Sequence, residues 1–243
     1  MEKLGYTRNT QKLIYWTIYD FANFWQGNNA GDKPSIYYKE YAKTTLKKLF
    51  LKAYDGFNKE NDSLDKYLDL LKDKDKFSIG YLQQEFLKAL QGVFLNNDDF
   101  SLALNLLTQK QANDFVKYML DLAFKYGVEL RSEIVELLKQ EEHDSWIYIT
   151  LKYKKCCICG NDGELQHFDR VGSYGYKSDD GTNYRVMCLC RKRHHEADNV
   201  ISRSEFVKKY GYKGIYLKPK QVEKLKVVYP NHFKAYEKEK RYE

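Results

Sequence analysis

Apolar side chains recur every three or four residues through much of the first 150 residues, which is the period of an amphipathic helix. In the segment QKLIYWTIYDFANFW (11–25), the recurring positions are Ile14, Ile18, Phe21 and Trp25. Leu, Tyr and Phe recur at similar spacing in the segments 34–56 and 81–95. These patterns predict a mostly helical region from residue 1 to about residue 150.

The clearest helix signal is TQKQANDFVKYMLDLAFKYG, residues 108–127. Thr108 and Gln111 form a capping box that satisfies backbone N–H groups at the helix start, and Gly127 stands where a left-handed residue would end it. The predicted buried stripe consists of Ala112, Phe115, Met119, Leu122 and Ala123. A further helix is predicted at about 132–142, and the charge-dense segment 58–76 is predicted to be an exposed helix or an insertion.

The pattern changes near 145–152, where WIYITLKY is rich in β-branched and aromatic residues and lacks a helical period, so a strand or linker edge is predicted. Beyond it, stretches rich in Gly, Asn and Asp predict tight turns between short hairpins. A helix with a Ser202–Glu205 capping box and another that begins at Pro219 follow. The predicted fold class is α+β, with a helical domain (1–150), a small domain of strands and helix (151–217), and a basic C-terminal helix or tail (218–243).

Charge is distributed unevenly along the chain, whose net charge is +7. Residues 151–243 carry 21 Lys and Arg against 12 Asp and Glu, whereas residues 1–150 carry 20 against 22. The basic excess therefore belongs to the C-terminal part, which favours a polyanionic partner such as nucleic acid. The alternative is a solvated lysine surface without a partner.

Hydropathy and cysteine usage narrow the class of protein. No stretch approaches about 18 apolar residues, and the N-terminus lacks the apolar run of a signal peptide, so neither a membrane protein nor a secreted one is expected. In the reducing compartment that this implies, clustered cysteines indicate metal binding before disulfides.

Five cysteines and three of the five histidines lie in two short windows, CCICGNDGELQHFDRVG (156–172) and CLCRKRHHEADN (188–199). Two Cys in C-x2-C spacing, followed about thirty residues later by a C-x3-H pair, predict a closed structural zinc site. Its predicted ligands are Cys156, Cys159, Cys190 and His194. Cys157 and Cys188 are left over, and Cys188 is an alternative to His194 as the fourth ligand.

Three further polar residues in these windows could surround a second, open metal. His195 and Asn199 are four residues apart and share a helix face, and His167 lies between the two halves of the zinc site. His167 could take a proton from water, while a divalent ion held by His195 and Asn199 would stabilise charge on a phosphate. The alternative is that all three are solvated polar residues around a zinc ribbon.

These windows resemble the HNH (ββα-metal) endonuclease motif, a hairpin with a central His followed by a helix with metal ligands. The segment LCRKRHHEADNVISRSEFVKKYGYKGIYL (189–217) is similar to the C-terminal HNH domain of phage proteins related to the Orf-type recombination mediators. The segments TRNTQKLIYWTIYDFA (7–22) and DDFSLALNLLTQKQANDFVKYMLDLAFKYGVEL (98–130) match the helical pattern of the N-terminal domain of those proteins.

The resemblance implies a phage-encoded DNA recombination factor that works in the cytoplasm of an infected bacterium. Such mediators bind single-stranded or branched DNA, help to load a recombinase past single-strand-binding protein, and are expected to be dimers. The HNH versions add a phosphodiesterase that depends on Mg²⁺ or Mn²⁺. Under this resemblance His167 is the general base, His195 the metal-binding His of the helix, and Asn199 the last ligand.

The chain departs from that pattern at two points. Gln166 stands where a metal-binding His or Asp usually precedes the base, and the distance from Cys190 to the His pair is one residue longer than expected. A register fixed on Cys190 would instead place Arg193 at a zinc position, with His194 and Asp198 at the second metal. The downstream spacing to Phe206 and Tyr210 favours the register of His195 and Asn199.

Several basic and aromatic residues near the two windows are predicted to contact DNA. The basic candidates are Lys154, Lys155, Arg191, Lys192 and Arg193, and the aromatic candidates are Tyr174, Tyr176 and Tyr184. A second hypothesis for the whole chain is a non-catalytic DNA-binding protein with a degenerate HNH site, which the amide residues at 166 and 199 favour. A third is a homing-type or restriction nuclease.

Overall fold

A computed structural model describes residues 5–54, 100–105, 107–172 and 179–236 of the chain. The predicted helix at 81–95 and the charged segment 58–76 lie outside these residues, as do Tyr174 and Tyr176. The described part is α+β, mostly helical with one small sheet. Its helices and strands, in chain order, are α1 (Arg8–Gln26), α2 (Ile36–Tyr54), α3 (Gln109–Tyr126), α4 (Ser132–Glu141), α5 (His143–Lys152), β1 (Glu164–His167), β2 (Val186–Leu189), α6 (Arg191–His195), a π-helical segment (Glu196–Val200), α7 (Arg203–Tyr210) and α8 (Pro219–Val228).

The chain forms two compact units, Met1–Leu137 and Leu138–Glu243, which divide within α4. The domain limits taken from the sequence, with a boundary near residue 150, stay predictions. No helix among the described residues has both the length and the apolar character needed to cross a bilayer.

In the first unit, α1 packs against both α2 and α3. The predicted apolar face of α1 is confirmed for Ile14, Ile18 and Phe21, which are buried, while Trp25 is half-buried. The predicted stripe of α3 is fully buried. The Thr108–Gln111 capping box is present, and Gly127 ends α3 in the left-handed conformation with φ of 66°.

One buried ion pair connects distant parts of the first unit. Asp20 on α1 has no exposed side-chain area, and Arg131 donates to it from Nη2 at 2.6 Å and from its backbone N–H at 2.9 Å. The backbone N–H of Gly31 also donates to this carboxylate, at 3.1 Å. The pair therefore fixes the start of α4 to the middle of α1.

We expect Arg131→Met to lower the free energy of unfolding by about 3–5 kcal/mol, because it leaves the Asp20 carboxylate buried without its charged partner. Lys43→Met is the matched control, since it breaks the exposed pair with Glu40 and should cost less than about 1 kcal/mol. Urea denaturation of the full chain measures both. Equal unfolding free energies for the two variants would show that the buried pair does not stabilise the unit.

The strand predicted near 145–152 is wrong, because this segment forms the helix α5. Trp146, Ile147, Ile149, Thr150 and Leu151 are all buried. A helix that is buried on several sides is apolar nearly all round, so its 3.6-residue period disappears from the sequence. Packing then overrides the strand preference of β-branched residues. Trp146 Nε1 donates to the carbonyl of Cys157 at 3.0 Å, which ties α5 to the cysteine window.

The second unit contains an antiparallel pair of strands, β1 and β2, as the predicted hairpin requires. Leu165 pairs with Cys188, and His167 pairs with Val186. The four residues of β2 are buried, and α5 packs against this strand. The Ser202–Glu205 capping box and the helix start at Pro219 are both confirmed. The sheet thus holds the two cysteine and histidine windows side by side.

Candidate functional site

Three of the four predicted zinc ligands lie together. The Sγ atoms of Cys156, Cys159 and Cys190 are all within 4.8 Å of one another. Cys156 and Cys159 come from the turn that precedes β1, and Cys190 caps the N-terminus of α6 directly after β2. Sheet pairing therefore brings ligands more than thirty residues apart to one point.

The spacing of these thiols fits a tetrahedral metal. Two thiolates bound to one zinc ion at about 2.3 Å each lie about 3.8 Å apart. Cys159 Sγ and Cys190 Sγ are 3.7 Å apart, which is too far for a disulfide and close to the edge of a ZnS₄ tetrahedron. The three residues therefore fit a metal ion that prefers thiolates, such as zinc.

The turn that carries the first two thiols is held by backbone hydrogen bonds. The N–H of Cys156 donates to Asn161 at 2.7 Å, and the N–H of Gly160 donates back to Cys156 at 2.8 Å. Gly160 has φ of 72°, in the left-handed region that favours glycine. Gly163 is needed for another reason: a Cβ there would lie 2.8 Å from Cys188 Sγ. Gly160 therefore permits the turn itself, and Gly163 lets the chain after it approach β2 closely.

The two remaining cysteines are buried outside the cluster. Burial raises the pKa of Cys188 to about 12 and that of Cys157 well above its ordinary value. Tyr229 Oη lies 3.8 Å from Cys188 Sγ. Cys190 differs from both buried cysteines: burial acts to raise its pKa, but hydrogen bonds from the backbone of Arg193 and from Cys159 outweigh that effect and lower it. The environments of Cys157 and Cys188 thus favour neutral thiols.

His194, the predicted fourth zinc ligand, lies on α6 four residues after Cys190 and contacts Asp198 rather than the thiols. Its Nε2 is 3.2 Å from Asp198 Oδ2. Because positions i, i+4 and i+8 follow one helix face, His194 stands between the cysteine cluster and Asp198. The His194 imidazole is therefore a candidate ligand both for a metal at the cysteine cluster and for a metal at Asp198.

Asp198 is the centre of a second polar cluster. Gln166 Nε2, from β1, donates to Asp198 Oδ1 at 2.9 Å, and Arg203 Nη2 donates to the same oxygen at 3.2 Å. Gln166 also donates to the carbonyl of His167 at 3.0 Å. The side chain of Asp198 is 37% exposed, so this carboxylate is open to solvent on one side. A carboxylate from the π-helical segment, an imidazole from α6 and an amide from β1 thus meet at Asp198.

The helix after His195 contains one extra residue in its turn. The N–H of Ile201 donates to the carbonyl of Glu196 at 3.1 Å, a bond of the i to i−5 type, and Glu196–Val200 is π-helical. A π turn holds one residue more than an α turn, and such turns are frequent at functional sites. Here the extra residue lies beside Asp198.

His195 and Asn199, the predicted ligands of the second metal, form a pair of their own. His195 Nδ1 is 3.2 Å from Asn199 Nδ2, and both residues are exposed. The structure brings Gln166 into contact with Asp198, and it places His195 and Asn199 on another part of the helix surface. Both ligand pairs, His194 with Asp198 and His195 with Asn199, stay candidates for the second metal.

His167, the predicted base, is buried at the end of β1 with 5% of its surface exposed. Its Nε2 lies 2.7 Å from Oδ2 of Asp179, which is itself 1% exposed and accepts a hydrogen bond from the N–H of Gly181 at 2.8 Å. If Asp179 is ionised, Nε2 carries the proton and Nδ1 is the basic nitrogen. The Tyr184 ring packs edge-on against this imidazole, with the ring centroids 6.1 Å apart. Phe168 is the first residue after β1.

The five basic residues predicted to contact DNA differ in their surroundings. Arg191 and Lys192 are exposed in the first turn of α6. Lys154 is exposed and lies over the ring of Tyr229, and Lys155 pairs with the exposed Asp162 at 2.6 Å. Arg193 is half-buried and contacts both Glu196 and Tyr210.

Glu196 collects three hydrogen-bond donors from α6 and α7. Lys209, Tyr210 and Arg193 donate to its carboxylate at 2.5, 2.7 and 2.8 Å, and in that order these bonds lower its pKa to about 2. The Arg193 guanidinium also lies 4.8 Å from the Tyr210 ring centroid. This network fixes the π-helical segment to α7, and Arg193 is part of it.

Sequence reasoning missed Asp179, Arg203 and Glu196 as parts of the site. Asp179 lies in one of the segments rich in Gly and Asp that predict a turn, and nothing in that segment shows that its carboxylate contacts His167. Arg203 follows a helix cap and resembles any surface arginine. A sequence signal was present only for Glu196, whose spacing of three residues from Arg193 fits an ion pair on a helix.

Comparison with known proteins gives one result. A profile of the family described as "Putative HNHc nuclease" matches residues 50–227, well over half of the chain. Searches of curated proteins and of solved structures each found no significant match.

Proposed function

The chain belongs to the "Putative HNHc nuclease" family, and from that premise we propose that it hydrolyses phosphodiester bonds in DNA with the help of a divalent metal ion. The observation that carries the proposal is that Asp198, on the π-helical segment, contacts both Gln166 of β1 and His194 of α6. Family membership supports nuclease activity, metal binding and a DNA substrate. The contacts of Asp198 with Gln166 and His194 support these three residues as the metal site.

We assign the catalytic cation, Mg²⁺ or Mn²⁺, to Asp198 and His194, with the amide oxygen of Gln166 as a third donor after rotation of the amide. Carboxylate and amide oxygens suit hard divalent ions, and an imidazole favours Mn²⁺ among them. When bound, such an ion stabilises negative charge on the phosphate and on its leaving oxygen. The pair His195 and Asn199 is the alternative ligand set.

The role of His167 in the proposal is to accept a proton from the attacking water. Asp179 supports this role, because a carboxylate on Nε2 fixes the tautomer, orients the ring and stabilises the imidazolium that forms. The proton is then held at Nδ1 until it passes to solvent.

Arg203 is placed to bind the phosphate beside the carboxylate. It donates from Nη1 to the carbonyl of Ala197 at 3.1 Å and from Nη2 to Asp198, and its guanidinium lies 5.6 Å from the Phe168 ring centroid. These contacts hold the guanidinium in one orientation, and its remaining N–H groups can donate to phosphate oxygens.

The biological setting belongs to the proposal as well. The resemblance to Orf-type mediators supports a phage recombination factor that acts on single-stranded or branched DNA, alongside single-strand-binding protein and a recombinase, and as a dimer. Under the same proposal the three clustered cysteines hold a structural zinc ion.

We expect the full-length protein to cut DNA in the presence of Mg²⁺ or Mn²⁺, and His167→Ala to lower the rate by about 10²-fold, a typical contribution of a general base. A gel assay on single-stranded, branched and duplex DNA measures this. His232→Ala is the matched control, since it removes a second imidazole 6.1 Å from His167 and should act weakly. Equal cleavage by wild type and His167→Ala would exclude the base.

A second candidate function is a DNA-binding protein whose HNH site no longer cuts. Two observations favour it: Gln166 donates its amide to Asp198 instead of offering an oxygen, and His167 is almost fully buried. This candidate predicts DNA binding that is equal in wild type and His167→Ala, with no cleavage by either protein under any divalent ion.

A further inference from the structure

The first unit exposes aromatic rings at the start of α2. Tyr37 is 67% exposed, and its neighbour Ile36 is 80% exposed. The rings of Tyr37 and Tyr41 are stacked, with centroids 6.1 Å apart and an interplanar angle of 11°. The Tyr38 ring lies edge-on to Tyr37 at 5.4 Å. A flat ring with an open side is thus presented to solvent.

This ring is held from within the protein. Tyr41 contacts Trp25 of α1 at 5.5 Å, and Trp25 contacts the buried Phe21 at 5.8 Å. A continuous series of ring contacts therefore leads from the core of the unit to Tyr37. Because its neighbours fix its position, the exposed tyrosine loses little conformational entropy when another flat group stacks on it.

The charge on α2 indicates what kind of ligand would bring a flat group to Tyr37. Between residues 33 and 54 the chain carries six lysines and a single glutamate, Glu40, which pairs with Lys43 at 3.2 Å. Lys48 and Lys52 lie 11 and 15 residues after Tyr37, so they continue the face on which Tyr37 and Tyr41 stand. A helix face with two stacked tyrosines and then two lysines combines a surface for bases with cations for phosphates.

We propose that this α2 face, defined by Tyr37, Tyr41, Lys48 and Lys52, binds single-stranded nucleic acid through base stacking on Tyr37. Duplex DNA does not fit, since its base faces are already stacked on one another. A second copy of the chain does not fit either, because two such faces would bring their lysines together. The choice of DNA as the polynucleotide rests on the proposed function, but the face lies in the first unit and its contacts are independent of the HNH site.

The test is fluorescence anisotropy of the full-length protein with labelled oligo-dT, oligo-U and duplex DNA, without added divalent ions. We expect oligo-dT to bind more tightly than duplex, and Tyr37→Ala to weaken binding roughly 5- to 100-fold, the range for loss of one stacked base. Tyr37→Phe keeps the ring and should bind within about twofold of wild type. Ile36→Ala, which alters the still more exposed neighbour, should do the same. Tighter binding of oligo-U than of oligo-dT would assign the face to RNA and overturn the choice of DNA.

A second variant separates the lysines from the ring. Lys48→Gln with Lys52→Gln should make the slope of log K against log salt less steep by about 1.4, because two phosphate contacts are lost, whereas Tyr37→Ala should leave the slope unchanged. Equal oligo-dT affinity for Tyr37→Ala and wild type overturns the proposal. So does a loss of self-association in Tyr37→Ala, measured by sedimentation, without a loss of nucleic-acid binding. Absence of cleavage with binding that still depends on Tyr37 would refute the nuclease alone.

Discussion

If Cys156, Cys159 and Cys190 bind a structural zinc ion as proposed, its removal is expected to unfold the second unit. Binding of a structural zinc ion to a small site contributes an apparent free energy of about 10–16 kcal/mol, and a typical domain is stable by only about 5–15 kcal/mol. The loss is therefore as large as the whole stability of a typical domain. The first unit has its own buried core and should keep its helices.

The measurement combines zinc content by mass spectrometry with circular dichroism and limited proteolysis, before and after a strong chelator. We expect about one zinc ion per chain in the untreated protein and rapid cleavage within the second unit after chelation. Cys190→Ala should reproduce the chelated state. Cys157→Ala is the matched control, since it removes a thiol that is more deeply buried than Cys190 but lies outside the cluster, and it should keep the zinc. A metal-free protein with an unchanged second unit would contradict the structural role.

The same experiment identifies the fourth ligand. If His194 completes the site, His194→Ala will lower zinc content as Cys190→Ala does. If His194 belongs to Asp198, as their 3.2 Å contact indicates, zinc will be retained in His194→Ala and the fourth position will be filled by another group. Cys188→Ala tests the remaining alternative from the sequence.

The sequence predicted the parts of the fold that are set by local chemistry. It predicted the helix caps at Thr108 and Ser202, the helix end at Gly127 and the helix start at Pro219, because each depends on one or two residues within a single turn. The helix α5 was missed for the opposite reason. Its burial comes from packing against β2, and that contact cannot be seen in the ten residues of the helix.

In the candidate site, too, local spacing predicted some residues, whereas residues that depend on tertiary contacts were not predicted. The C-x2-C spacing was sufficient to predict that Cys156 and Cys159 lie together, and Cys190 from the second window lies beside them. The partner of His167 depends on where the chain returns after β1, so Asp179 had no signal in the sequence.

The two helix registers illustrate a further limit. Counting forward from Cys190 selects His194 and Asp198, and counting back from Phe206 and Tyr210 selects His195 and Asn199. The two counts disagree by one residue, and the π-helical segment between them contains one residue more than an α-helix would. Both spacings can therefore be correct in their own part of the helix. A sequence pattern that assumes one uniform helix must choose between them.

Asp198→Ala is expected to lower metal-dependent cleavage by about 10³-fold or more, while Asn199→Ala stays within about threefold of wild type. Loss of a ligand to the catalytic ion removes several kcal/mol of transition-state stabilisation, and each 1.4 kcal/mol is a factor of ten in rate. Asn199 is the matched control, because it is the next residue on the same segment and its exposed side chain lies 3.2 Å from His195.

A loss of rate alone would not separate a ligand from a residue that supports the fold, so binding of Mn²⁺ must be measured as well. Asp198→Ala should lose the weaker Mn²⁺ site in calorimetry and retain its zinc, whereas Arg203→Ala should retain both ions and still cut more slowly, since it acts on phosphate. Since the Asp198 side chain is more than one-third exposed, its removal should cost little stability. The reverse outcome, with Mn²⁺ and cleavage lost in Asn199→Ala and kept in Asp198→Ala, would establish the register that the downstream spacing favours and would leave Asp198 as a structural partner of Arg203.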